Sequence, residues 1–237
     1  MYKLLNLEFR KLKGTFLLLL VPVTFLIPLI LVLIQHASGP KASLPDIITK
    51  SSVFIQMISF ACVVISGCYI ITREYKSNML PYLAVTPNSM VRVLFCKFIL
   101  LFMETFVLQL AIFGALFCVN TVLDGFDGDI AVRFLVSGVL SALFLGCLIP
   151  AISFIALWRQ SFAGSSIIFL VLFMLTFPFT FMSYGYIFPH LVPIILVSKY
   201  LGYERYTQMG YGPGILILAG TFAAFSYLSV RCMKKKE

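Results

Sequence analysis

Charge is scarce in this sequence. Asp, Glu, Lys and Arg together supply 11% of its 237 residues, whereas soluble domains run near about a quarter. That scarcity excludes an ordinary water-soluble globule. Residues that carry out chemistry are equally thin. There are nine acidic residues, two histidines and one tryptophan, and no paired carboxylates or His/Cys cluster gathers on one side. No C-x-x-C spacing occurs among Cys62, Cys68, Cys96, Cys118, Cys147 and Cys232, so a metal-site pattern is missing. These cysteines lie in or beside apolar runs and read as small buried hydrophobes. No G-x-x-x-x-G-K-[ST], H-E-x-x-H or G-x-S-x-G motif is present, which leaves no phosphate cradle, zincin helix or nucleophile elbow of those kinds.

What is present is apolar. Hydrophobic residues make up 61% of the chain, and the mean hydropathy is +1.03. Several runs exceed the roughly 18 apolar residues that a bilayer crossing requires. The fold class expected is an all-α polytopic membrane protein, one transmembrane domain over 1–237. Six spans are expected, at about 15–35, 53–72, 98–119, 134–157, 162–182 and 213–230. The first is read as a span and not a cleavable signal, being too long for an h-region and lacking an A-x-A-like site after it. Between the last two spans, Ile187 to Val197 is apolar, short and interrupted by Pro189 and Pro193, which suggests a re-entrant or interfacial segment.

The few charges are distributed unevenly. With the N-terminus inside, Lys3, Arg10, Lys11, Lys13, Arg73, Lys76, Arg92, Lys97, Arg159, Arg231 and Lys234 to Lys236 share one side, against Lys41, Lys50, Arg133, Lys199 and Arg205 on the other. The positive-inside rule then places both termini in the cytoplasm. The net charge of +9 is an orientation signal and needs no nucleic-acid partner. Tyr2, Leu5, Phe9 and Leu12 recur at helical spacing beside Lys3, Asn6, Arg10 and Lys13. Residues 1–13 therefore read either as an amphipathic helix on the membrane surface or as a basic flank that enforces topology.

Small residues recur at four-residue intervals, as Gly138, Ala142 and Gly146 and again as Gly220 and Ala224, a pattern that lets helix backbones approach. Pro22, Pro28, Pro150 and Pro178 each free backbone groups inside apolar runs. Asp124, Asp127 and Asp129, with glycines between them, read as a solvated turn before a cation site. Glu104 is the one ionisable residue well inside an expected span, and its role, structural or transport, stays open. Gln109 in the same span suits a hydrogen bond to a neighbouring helix. Tyr184, Tyr186, Tyr200, Tyr203, Tyr206 and Tyr211 surround the Pro189–Pro193 segment, as an interfacial belt or as the wall of an exit path.

Between the second and third spans stands "ITREYKSNMLPYLAVTP", residues 71–87. Thr86-Pro87 is a helix start, and Glu74 to Ala84 reads as a short helix ended near Pro81. Glu74, Asn78-Met79, the apolar run Leu80 to Val85, then Pro87, Arg92 and Lys97 resemble the first cytoplasmic loop of type-2 ABC exporter permeases. The opening "LLNLEFRKLKGT", with Glu8 and Lys11, is similar to the start of lantibiotic-immunity and bacitracin-resistance permeases. The resemblance implies a non-enzymatic, multi-pass permease subunit of a bacterial cell membrane. It implies no cofactor on this chain, with ATP and Mg on a separate subunit. Its implied partners are two ABC ATPase subunits, a second six-span permease and the lipid bilayer. Arg73, Glu74, Tyr75, Lys76, Asn78 and Met79 would form the ATPase-coupling segment, and Tyr184, Tyr186, Pro189, Pro193 and Tyr200 an outer exit segment. The cargo implied is an amphipathic peptide, antibiotic or lipid moved outward. The competing reading is an ion-coupled secondary transporter using Glu104, weakened by the lack of a second membrane-embedded charge.

Overall fold

The computed structural model describes residues 8–11, 15, 17–38, 43–76, 90–182, 184–206 and 210–234, without the side chains of 17–21 and 76. All regular structure among the described residues is helical. In chain order the helices are α1 (Leu17–Ser38), α2 (Leu44–Lys76), α3 (Met90–Leu123), α4 (Gly128–Gly146), α5 (Ile149–Arg159), α6 (Phe162–Thr176), α7 (Val192–Tyr200) and α8 (Tyr211–Lys234). Short 3-10 turns at Phe177–Phe181, Gly185–Ile187 and Glu204–Tyr206 join the later ones.

Five stretches are long and apolar enough to cross a bilayer: Leu44–Tyr75, Met90–Leu123, Gly128–Arg159, Phe162–Phe181 and Tyr211–Lys234. Pro22–Ser38 of α1 is an apolar helix shorter than that measure. Five of the six expected spans thus have a helix that meets it. The boundaries differ in one systematic way. α2 and α3 run well past the apolar windows 53–72 and 98–119 at both ends. Hydropathy marks the part of a helix that lies in hydrocarbon, whereas the i→i+4 ladder continues for as long as side chains can pair or cap. At 34 residues and about 1.5 Å per residue, α3 is roughly 50 Å long, more than the hydrocarbon thickness.

The expected fourth span is broken. Pro150 has no N–H to give the Gly146 carbonyl, so the helix ends there. The Cys147 amide turns back to Leu143 O, and the Leu148 amide to Leu145 O. α5 then starts afresh, with Ile152 N donating to Leu148 O. The hydroxyl of Ser229 on α8 donates to the Pro150 carbonyl at 3.2 Å. α5 closes on Gln160, whose φ of 55° is left-handed. Ser161 caps the next helix, accepting from the Gly164 amide at 3.4 Å, so a two-residue turn reverses the chain.

The two ends of the bundle are chemically distinct. At one end Ile71, Met90, Leu94, Ala156, Leu157 and Met233 pack together, beneath the charged ends of their helices. At the other, Val32, Leu44, Ile48, Leu116, Phe134, Val197 and Leu201 form a second core. There the Leu44 amide donates to Asp124 Oδ2 at 2.7 Å, and Asp127 caps α4 by accepting from the Asp129 amide at 2.9 Å. The aspartates of the 124–129 turn therefore serve helix ends.

Much of the segment expected to be re-entrant or interfacial over 187–197 forms α7. It has nine residues, about 13 Å of helix, too short to cross. Val192 to Ser198 are all buried in a core shared with α2, α4 and α6. Pro193 sits in its first turn, where no amide partner is lost.

The small-residue stripe of α4 lies against α3. A Cβ built on Gly146 would come within 2.6 Å of the Phe102 ring, and one on Gly138 within 3.4 Å of Phe113 Cβ. The Gly220 stripe of α8 is different: a Cβ there meets nothing within 4 Å. Gly146→Ala should therefore cost about 1–3 kcal/mol through overpacking, while Gly220→Ala should be neutral or slightly stabilising. Thermal unfolding of the purified chain in detergent should show a drop only for Gly146→Ala, and Phe102→Leu should restore part of it. Equal midpoints for the two alanine variants would refute this packing.

Candidate functional site

The charged end holds the densest ionic cluster among the described residues. Lys97 of α3 reaches back to the final turn of α2, where its Nζ lies 2.8 Å from Glu74 Oε2 and donates to the Ile70 carbonyl at 3.1 Å. Glu74 and Lys97 are 8% and 3% exposed. A third helical piece joins them. Lys11 lies 3.7 Å from Glu74 Oε1 and pairs with Glu8, and the Arg73 guanidinium donates to the Lys11 carbonyl. Residues 8–11, the end of α2 and the foot of α3 are thus tied through alternating charges. A cation at the C-terminal turn of α2 also offsets the partial negative charge of its last carbonyls.

This placement alters the expected picture of the strip. Arg73, Glu74 and Tyr75 continue α2 instead of opening a new helix, so Glu74 stands at a helix C-terminus. Lys97 turns inward to it. Tyr75 packs beside Ile71, Met90 and Leu157. Lys76 ends α2, with a side chain outside the described set. Asn78, Met79, Pro81 and Thr86-Pro87 lie outside the described residues, as do residues 1–7 and 12–13 of the N-terminal segment.

Deeper in the bundle a polar rung crosses three helices. Ser141 Oγ of α4 stands 2.8 Å from Gln56 Oε1 of α2 and 2.9 Å from Gln109 Oε1 of α3, and all three side chains are fully buried. A hydroxyl has a single hydrogen, so it serves one of these oxygens. The other amide satisfies the rung once turned, its NH2 donating to Ser141. Gln109 accordingly bonds to a neighbouring helix through Ser141. Spacing within α3 alone does not name Gln56 and Ser141 as the partners of Gln109, and an uncharged amide in mid-span is the signal that points to Gln56.

Glu104 does not join that rung. With Thr24, Cys62, Ser66 and Thr105 it lines a small pocket between α1, α2 and α3. The Thr24 hydroxyl donates to Cys62 Sγ at 2.7 Å, and Glu104 Oε2 is buried without a hydrogen-bond partner.

The residues expected to line an exit segment are not brought to one surface. Tyr184 is exposed, Tyr186 and Pro193 are buried, and Pro189 and Tyr200 are half-buried. Two cations sit on rings nearby: Lys199 lies 4.2 Å from the Tyr211 ring centroid, and Arg205 lies 5.4 Å from that of Phe181. His190, 6% exposed, stands 2.6 Å from Thr176 Oγ1 among Phe60, Phe173 and Phe188. Burial lowers its pKa to about 4, which keeps the ring neutral at neutral pH.

Long apolar helices, a few polar side chains between them and one basic end define the class: a polytopic helical membrane protein. The model of the ABC-2 family transporter protein matches residues 4–176, and the chain belongs to that family. Such a chain is the membrane component of an ABC transporter, a transport part that works with an ATPase subunit. The match ends with α6, so α7, its flanking turns and α8 lie beyond it. No curated protein and no solved structure gives a significant match.

Removing one partner of a buried pair leaves an uncompensated charge. Glu74→Gln should therefore cost about 3–5 kcal/mol, while Glu74→Leu with Lys97→Met should cost much less. Thermal unfolding in nanodiscs measures both. A single variant as stable as the wild type would show that the pair contributes nothing.

Proposed function

We propose that this chain is the permease half of an ATP-driven exporter in a bacterial cell membrane. It crosses six times, with both termini in the cytoplasm. Family membership supports the permease assignment, and the crowding of basic residues at one end of the bundle supports the orientation. α1, with 22 residues, supplies the sixth crossing at about 33 Å. The translocation unit is completed by a second six-span permease, identical or homologous, and two ABC ATPase subunits that carry ATP and Mg. The cargo is an amphipathic peptide, antibiotic or lipid moved outward, as in the immunity and resistance permeases that the opening segment resembles.

The observation that carries the mechanism is the ion-paired junction at Glu74 and Lys97. In the chain, residues 77–89 connect the end of α2 to the start of α3, the two helices that this junction pairs. A push by the ATPase on that segment reaches α2 and α3 together, because Lys97 locks them, and reaches residues 8–11 through Lys11. Arg73, Tyr75, Lys76, Asn78 and Met79 form the docking face, and Glu74 anchors that face to α3. Of the outer segment, the exposed Tyr184 borders the exit.

Asn78→Ala with Met79→Ala should leave permease abundance in the membrane unchanged. It should weaken co-purification of the ATPase and lower stimulated hydrolysis about tenfold, the equivalent of about 1.4 kcal/mol of docking. Unchanged co-purification and unchanged hydrolysis would reduce the strip to a topology anchor.

Orientation has a separate check. In a chain whose six native cysteines are replaced, a cysteine at Gly128 should react with an impermeant thiol reagent in intact cells. A cysteine at Lys234 should react only after the cells are opened. The reverse pattern would invert the topology.

A further inference from the structure

The polar lining of the Glu104 pocket is one carboxyl group, the hydroxyls of Thr24, Ser66 and Thr105 and the thiol of Cys62. The Ser66 hydroxyl has one hydrogen, which can go to the Cys62 carbonyl at 3.0 Å or to Glu104, and the Thr105 hydroxyl spends its own on Leu101 O at 2.8 Å. Thr105 then turns only lone pairs towards other groups, and Ser66 does so whenever it bonds to its own helix. The Thr24 hydrogen goes to Cys62 Sγ. Glu104 adds a carboxyl group with Oε2 buried and unpartnered. The thiol of Cys62 is a weak donor on the same wall. A carboxyl oxygen buried without a partner, beside hydroxyl oxygens with lone pairs to spare, is met by a cationic donor, since a buried unpaired charge is costly.

Size and position narrow the choice. The pocket has room for about one water-sized group, which suits an –NH3⁺ head with three N–H donors and excludes a bulky quaternary one. Glu104 stands about 21 Å along α3 from Met90, well inside the apolar span. It lies on the edge of the bundle's outer face. Its neighbours Met103 and Val107 are 57% and 63% exposed, and Val23 and Ile27 flank Thr24 in the same way on α1. A head placed in the pocket can therefore trail an apolar chain along exposed α1 and α3.

We propose that this pocket binds a primary ammonium group carried on an apolar chain, reached sideways from the bilayer. Glu104 takes the charge, and Ser66 and Thr105 accept N–H bonds. The proposal rests on the exporter reading above and names the chemistry of its cargo as a primary amine amphiphile.

The test uses the full chain in phosphatidylcholine nanodiscs and radiolabelled dodecylammonium, with empty nanodiscs as the partition background. Saturable binding near one per chain is expected. Glu104→Gln should weaken it tenfold or more, and Thr105→Val about threefold. Unlabelled dodecylammonium should compete, whereas dodecyltrimethylammonium, without N–H groups, and dodecanol, without charge, should not. Should Glu104→Gln fail to reach the membrane, Ser66→Ala and Thr105→Val carry the test, because they retain the carboxylate.

Binding unchanged in Glu104→Gln, or equal competition by the trimethyl compound, would overturn the proposal. Complete displacement of the amine by sodium chloride but not by choline chloride would overturn it too, assigning the pocket to a metal ion. The measurement uses no ATPase. Loss of this site would leave the exporter reading standing, and failure of ATPase docking would leave the amine site standing.

Discussion

Inside a bilayer a polar group has no water to return to, and that constraint organises the whole chain. Backbone groups meet it by forming helices. Side chains meet it by turning back on their own helix: Ser59 to Ile55, Ser66 to Cys62, Thr72 to Cys68, Thr105 to Leu101 and Thr176 to Leu172. Groups that cannot be satisfied locally are drawn between helices, as the amides of Gln56 and Gln109 are drawn to Ser141. Charges are driven to the ends, where Glu74 and Lys97 meet. Glu104 is the exception that stays in the middle, and the ligand proposed for it follows from the same rule.

The two ends of the bundle have different kinds of cohesion. The basic end is held by ions and hydrogen bonds that cross three separate pieces of chain, and these contacts tie the three pieces together. The other end is held by Val, Leu, Ile and Phe contacts around the short α7. Between them, the break at Pro150 divides one membrane crossing into α4, seated on α3, and α5, bonded to α8 through Ser229. The two halves of the bundle therefore share a joint midway along that crossing.

Much of the fold was legible in composition. Length and hydropathy pointed to five of the spanning helices, the glycines of α4 marked its contact with α3, and Gln109 announced an interhelical bond. Three things were not legible, each for a physical reason. The Glu74–Lys97 pair joins residues on two helices across a 13-residue connection, and nothing in local spacing says which way Lys97 turns. The Glu104 pocket takes Thr24 and Ser66 from two other helices, so its acceptors are invisible until those helices pack. The Ile187–Val197 run looked like a membrane-surface dip because proline and shortness exclude a crossing. Burial by α2, α4 and α6 is a third option that only tertiary packing reveals.

The Gln56–Ser141–Gln109 rung has a further property. A row of amide, hydroxyl and amide can order its hydrogens in either of two directions, from α2 towards α3 or from α3 towards α2. The two orders use the same three side chains and differ by amide half-turns and one hydroxyl rotation. No helix has to move for one to become the other. The rung thus admits two hydrogen orders on one set of side-chain positions.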